Sequence, residues 1–229
     1  METLHDIRQA IEKLSPAQRH SLEVWIREVA CVEDGVREPR PEYAVVPRPQ
    51  YLSVEEYLRF EEMSSTRHEY VGGELFAVTG ATKRHNVISL NVASALQAHL
   101  RGGPCRTYVE AVKVRLTVGR DEIFYYPDVM VACGPQDLDK VYLIDPKLVV
   151  EVLSPSTERT DRREKALNYR EIPTLEEYVL IAQHRSEVTL YRRNESWRAR
   201  VLAQPDALVE FRSIACTLPL GHIYEGVTS

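Results

Sequence analysis

Tyr125-Tyr126-Pro127-Asp128-Val129-Met130-Val131, then Leu148-Val149-Val150-Glu151-Val152-Leu153-Ser154-Pro155-Ser156-Thr157, then Asp161-Arg162-Arg163-Glu164-Lys165 are three pieces of one stretch, and their reading decides the fold. The first two are short runs rich in Val and Tyr, bounded by Pro, Gly and Ser, and both read as buried strands. Each carries one carboxylate in an otherwise apolar row. Burying an ionised carboxylate is costly, so each acid must pair with a cation, take up a proton or bind a metal.

If the two strands lie side by side with their acids pointing the same way, Asp128 and Glu151 form a hard, oxygen-only site suited to Mg²⁺ or Mn²⁺, with the Val152 carbonyl as a third donor. A Pro/Ser/Thr turn follows Glu151. Asp161 is then expected to cap a helix, with Glu164 in the capping-box position and Lys165 in the first turn, its ammonium near the end of the Glu151 strand. Acid, acid and lysine together make a phosphodiesterase constellation. Taken singly, each residue has a plainer explanation. Asp128 after a proline can cap a turn, Glu151 can sit on a half-exposed strand, and Lys165 can be solvated in a charged helix. Asp161 is most economically an N-cap, and Tyr169, one turn after Lys165, is expected to pack rather than react.

Pro127-Asp128 followed by Glu151-Val152-Leu153 resembles the PD-(D/E)XK nuclease superfamily, with Leu153 where most members carry lysine; the role passes to a migrated residue, Lys165. Tyr126-Pro127-Asp128-Val129, Glu151-Val152-Leu153-Ser154-Pro155-Ser156-Thr157, Asp161, Lys165, Tyr169 and Tyr178-Val179-Leu180-Ile181, in that order, look like the Uma-two branch of restriction-endonuclease-like proteins. The resemblance implies an α/β (α+β) fold, a central mixed sheet flanked by helices, over residues 51–226. It implies a Mg²⁺- or Mn²⁺-dependent endodeoxyribonuclease with catalytic Asp128, Glu151 and Lys165. Metal would be held by Asp128, Glu151 and the Val152 carbonyl, and Glu69, Glu74 and His85 would be auxiliary polar residues near the site. Each of these three also has an ordinary place in a turn or hairpin.

The 229-residue chain, 44% hydrophobic and 28% charged, has globular composition and length for one sizeable core plus an accessory segment. No apolar run approaches the roughly 18 residues of a membrane span, and the N-terminus has no basic region followed by an apolar signal core, so a cytoplasmic protein with no membrane partner is expected. Cys31, Cys105, Cys133 and Cys216 are scattered without zinc-ligand spacing, and buried free thiols are expected rather than a disulfide framework. A net charge of −5 speaks against a strong constitutive nucleic-acid binder, which usually carries a net basic face. Arg159, Arg162, Arg163 and Arg170 alternate with Glu158, Asp161, Glu164 and Glu171, which reads as a solvated amphoteric helix. P-loop, nucleophile-elbow and zinc-protease motifs are absent from the sequence.

Residues 1–32 carry apolar positions at helical spacing and read as a helical hairpin, followed by a Pro-containing linker over 33–50. So small a hairpin must dock on the main domain, on a second copy to give a homodimer, or on a protein partner. Beyond it the pattern predicts a helix opened by Ser53 and a hairpin around Gly72-Gly73. A helix from Asn86, a strand over 108–116, the two acid-bearing strands, the Lys165 helix and several C-terminal strands follow. Two functions compete. One is DNA cleavage at the acid–acid–lysine site. The other is a catalytically inactive nuclease-like module that binds or regulates through its N-terminal hairpin.

Overall fold

The computed structural model describes residues 51–227, apart from Thr79 and Ser156; the hairpin at 1–32 and the linker at 33–50 lie outside the described residues. Helix α1 (Val54–Met63) opens with the expected capping box, in which Ser53 Oγ accepts from Glu56 N at 3.3 Å and Glu56 Oε2 accepts from Ser53 N at 2.8 Å. Its buried Tyr57 stacks on Tyr70 and leans on Phe124. Strands β1 (His68–Val71) and β2 (Glu74–Ala77) form the hairpin around Gly72 and Gly73, whose φ values of 56° and 104° explain the glycine pair. Helix α2 (Lys83–His99) starts three residues before Asn86, because Thr82 caps it by accepting from His85 N.

Strands β3 (Cys105–Val109), β4 (Lys113–Val118), β5 (Asp121–Tyr125), β6 (Val129–Cys133), β7 (Tyr142–Leu143) and β8 (Pro146–Leu153) follow. A helical segment, α3, then spans 158–170, with a wider π turn at Asp161–Lys165 set between Glu158–Thr160 and Ala166–Arg170. The described chain ends with β9 (Glu177–Ala182), β10 (Val188–Arg192), β11 (Arg200–Leu202), β12 (Leu208–Phe211), β13 (Cys216–Pro219) and the short α4 (Leu220–Ile223).

The strands form a six-stranded mixed sheet in the order β11-β10-β9-β8-β6-β3, a five-stranded sheet in the order β2-β1-β5-β4-β7, and the β12-β13 hairpin. Only β8 and β9 run parallel in the six-stranded sheet, and α3 connects them. Alternation along each strand sends side chains to two cores. Val129, Val131, Val150, Val152, Val179 and Ile181 pack with Ile88, Val92 and Leu96 of α2. Met130, Val149, Leu153, Tyr178 and Leu180 pack with Val114 and Tyr125 of the other sheet and Tyr169 of α3.

The structure differs from three of the sequence readings. The run from Tyr125 to Val131 is not one strand. Tyr125 ends β5 in one sheet, Val129 begins β6 in the other, and Pro127, which supplies no N–H, lies in the crossing. The expected strand over 108–116 is likewise two strands, β3 and β4, separated by a tight turn in which Ala111 N bonds to Val109 O. Cys105 and Cys133 are not free thiols. They face each other across β3 and β6 and are disulfide-bonded, while Cys216 is free and buried. Among the described residues, no helix is long and apolar enough to cross a membrane.

Candidate active site

Strands β6 and β8 are antiparallel neighbours whose register runs Val129↔Val150 and Met130↔Val149, so Asp128 sits one step beyond the last pair, beside Glu151. Where the main chain leaves the ladder, the Asp128 side chain replaces it. Asp128 Oδ2 accepts from Val152 N at 2.6 Å, and Asp128 N donates to Glu151 Oε2 at 3.4 Å. Because the N–H and C=O of one strand residue point the same way, the Val152 carbonyl also faces Asp128. Three oxygen-bearing groups thus meet at one end of the sheet.

Helix α3 crosses this end, and its π turn puts Asp161, Lys165, Asn168 and Tyr169 all on the buried side. A widened turn of this kind recurs at functional sites. Asp161 is therefore neither an N-cap nor exposed: Thr157 precedes the helix, and Asp161 lies inside it with only 2% of its surface accessible. Lys165 is correspondingly past the first turn. Its Nζ lies 2.7 Å from Glu69 Oε1, 3.4 Å from Glu151 Oε1 and 3.5 Å from Asp161 Oδ1, above the face of Tyr125. Tyr125 is itself held, accepting from Asn168 Nδ2 at 2.7 Å and donating to Glu164 Oε1 at 3.1 Å.

Glu69 comes from β1 of the other sheet and also accepts from Tyr126 N. Glu74 lies on the same hairpin face as Glu69, two pairs nearer the turn and opposite Val71. His85, in the first turn of α2, places Nε2 3.3 Å from Asp128 Oδ2, and its Nδ1 is buried without a hydrogen-bond partner. Tyr169 donates to Glu151 Oε1 at 2.9 Å from a fully buried ring, so it both packs and touches the site. Its position four residues after Lys165 is the signal that would have placed it there.

The cluster is overcharged: four carboxylates, Glu69, Asp128, Glu151 and Asp161, face one ammonium and one imidazole. Burial pushes the Glu151 carboxyl well above its ordinary range, and Asp161, Asp128 and Glu69 push the same way against Lys165. Asp161 is raised for the same main reason, and its Oδ1 accepts no hydrogen bond. Burial pulls Lys165 down, but Glu151, Glu69 and Asp161 outweigh it and hold the ammonium well above the ordinary lysine value. For His85 burial also works downward. The hydrogen bond and charge of Asp128, with the Val152 carbonyl, outweigh it and raise the imidazole.

Among the described residues, no three His, Cys, Asp or Glu side chains form a ready-made metal cage. What the β6–β8 end offers is an all-oxygen donor set beside excess buried negative charge.

A family model described as "Putative restriction endonuclease", Uma2, matches residues 54–220. The chain belongs to the Uma2 family. The motif order from Tyr126 to Ile181 had the same resemblance. Two relatives from Synechocystis sp. (strain ATCC 27184 / PCC 6803 / Kazusa) match over most of the Uma2 region. The uncharacterized protein slr1290 is 36% identical across 77% of this chain and 93% of its own, and the uncharacterized protein sll1609 is 33% identical across 73% and 96%. A crystal structure of a putative nuclease belonging to DUF820 from Anabaena variabilis ATCC 29413 has the same fold, with a TM-score of 0.64 and 21% identity over 77% of this chain and 99% of that one. The chain is thus a Uma2 protein with a nuclease-like fold, and Asp128, Glu151 and Lys165 all lie within the matched region.

Proposed function

We propose that this protein is a Mg²⁺- or Mn²⁺-dependent endonuclease that hydrolyses DNA phosphodiester bonds. The observation that carries this reading is the buried Lys165 ammonium lying 3.4 Å from a Glu151 that is itself paired across the sheet with Asp128. A structural ion pair needs one acid per base, whereas this end of the sheet gathers four acids against one lysine and one histidine. Such an excess is relieved by a divalent cation.

Asp128, Glu151 and the Val152 carbonyl are the groups that would hold the ion. Mg²⁺ is commonly bound through one or two carboxylates and completes its shell with water and substrate phosphate, so the lack of a third acid suits it. When bound, the ion supplies a Lewis acid for the phosphate and acidifies water. The protein's own residues do the rest. Lys165, kept protonated by its three acids, donates hydrogen bonds and positive charge to the phosphate's non-bridging oxygens and does not abstract a proton. Glu69 fixes the ammonium, Tyr169 fixes Glu151 Oε1, and His85 restrains Asp128 Oδ2.

Calorimetric titration of Mn²⁺ and Mg²⁺ into wild type and Asp128→Ala/Glu151→Ala, followed by plasmid nicking with the same samples, tests this. Saturable binding and nicking that the double variant loses are expected. If wild type binds neither ion even with DNA present, the reading is wrong; the non-catalytic module then remains, with residues 1–32 as the segment to delete.

A further inference from the structure

Beside the acid cluster, two cations share one aromatic ring. Arg67 Cζ lies 5.9 Å and Lys113 Nζ 5.2 Å from the centroid of the Tyr126 ring. The ring is fixed, its OH donating to Glu61 Oε1 at 2.7 Å. Both Glu61 oxygens are committed, since they also accept from His68 N and meet His68 Nδ1. Lys113 is 6% exposed, yet among the described residues it makes no ion pair and its ammonium no hydrogen bond; it faces the Tyr126 ring and feels the Glu61 carboxylate only at longer range. Arg67 is half-exposed and loosely tied, 3.8 Å from Glu110 Oε2 and 3.3 Å from Glu110 O. A buried lysine without a carboxylate in direct contact is unusual, and one beside an arginine is more so, because the two repel. The arrangement calls for an anion.

Two contacts tie it to the catalytic acids. Tyr126 N donates to Glu69 Oε1, and Glu110 N donates to the carbonyl of Asp128. Glu110 holds a left-handed φ of 31° in the turn between β3 and β4, a conformation that costs a glutamate energy and that collects at functional sites. Resting on the endonuclease reading, we propose that Arg67 and Lys113, gathered on Tyr126, bind a backbone phosphate of the nucleic-acid strand next to the one being cut. Arriving phosphate displaces Glu110 from Arg67 and gives Lys113 an anion in direct contact. The subsite also answers the electrostatic problem of a chain with net charge −5 whose active site is acidic: local cations must offset the repulsion of DNA.

The test is fluorescence anisotropy of a labelled DNA duplex, with Ca²⁺ replacing Mg²⁺ to suppress cleavage, titrated with wild type, Arg67→Ala, Lys113→Met and the double variant at several salt concentrations. The double variant should bind at least about tenfold more weakly. Its log Kd against log salt slope should fall by about 0.9, the value for one lost phosphate contact. Arg67→Ala, at an exposed position, should show about half of that change in slope while keeping the wild-type melting curve, and so serves if Lys113→Met misfolds. Arg198→Ala/Arg200→Ala, far along the chain on the surface, should bind as wild type. Unchanged affinity and slope in Arg67→Ala and the double variant overturn the subsite. Plasmid nicking by wild type in the same series would then leave the endonuclease reading standing, whereas wild type that neither binds nor nicks overturns both.

Discussion

Strands β8 and β9 carry two buried ionic clusters, one at each end, and the two are built on opposite rules. At one end Glu177 lies beside Leu148; three residues further along, Glu151 lies beside Leu180. Glu177 is saturated: Oε1 accepts from Arg192 Nε at 2.8 Å, and Oε2 accepts from Ser213 N at 2.8 Å and Ser213 Oγ at 2.6 Å. Arg192 spends its remaining donors on Glu210 O and Glu195 Oε1, which fastens the β12 region to the sheet. At the other end the acids outnumber the bases and Asp161 Oδ1 accepts no hydrogen bond. One cluster is closed and holds the fold. The other has charge left over for a cation and a phosphate.

The largest expected effect comes from neutralising the open cluster at its centre. Glu151→Gln should reduce nicking by at least about a thousandfold, since it removes a charge aimed at the ion, while the melting temperature stays level or rises. A Gln fits the same space and ends the cost of an ionised carboxyl in a site that raises its pKa. A large fall in melting temperature, read by circular dichroism, would mean that the carboxylate is structural like Glu177.

The closed cluster should respond in the opposite way. Arg192→Ala leaves Glu177 buried without its cation and should cost about 3–5 kcal/mol in urea unfolding. Nicking per folded molecule should be unchanged at a temperature where the variant remains folded. Loss of cleavage with intact stability would erase the distinction between the two ends.

The difference between the clusters also explains what could be read in the sequence. A glutamate within Leu-Val-Val-Glu-Val-Leu is conspicuous because strand alternation sends it into a core, and the spacing to Asp128 and Lys165 could be recognised from residue types alone. Asp161 reads as a cap because capping signals are local, whereas the structure buries it inside a π turn beside Lys165. Glu177 has the same residue type in a similar apolar row, and only Arg192, brought in by hairpin register, shows that it is structural. Cys105 and Cys133 stand 28 residues apart with no motif, so their pairing depends on β3 and β6 being neighbours. Arg67 and Lys113, 46 positions apart, meet on Tyr126 only because β1, β5 and β4 are neighbours in the five-stranded sheet.

A pH series sets the open cluster against the closed one at smaller amplitude. Glu151 and Asp161 are held above their ordinary values, mainly by burial, and His85 is raised by Asp128 against the pull of burial. For a group whose folded pKa is raised, stability is fully present below the unfolded value and is lost as pH rises through the folded one. The metal-free protein should therefore lose stability, relative to Glu151→Gln, from the ordinary glutamate value of 4.5 upward. The slope should approach about 1.4 kcal/mol per pH unit where one such group titrates. Saturating Mn²⁺ should abolish the difference, because ion binding requires the carboxylates deprotonated and expels the protons. The stability difference between wild type and Arg192→Ala should not depend on the ion, because that variant leaves the open cluster intact.

The smallest effect belongs to Tyr169→Phe, which alters one hydrogen bond in the open cluster and nothing in the closed one. The variant keeps the ring that packs against Tyr125 and Tyr178, so the core is preserved. It deletes the O–H that donates to Glu151 Oε1 at 2.9 Å, a bond that favours the ionised carboxylate over the neutral one. The Glu151 pKa should rise further and protons should compete better with the ion. Mn²⁺ affinity should fall about fivefold, equivalent to about 1 kcal/mol for one hydrogen bond, with the deficit shrinking at higher pH. A deficit that is constant with pH would mean that Tyr169 only shapes the cavity, as Tyr178 does from the next strand, and would remove it from the set of groups that tune the acid.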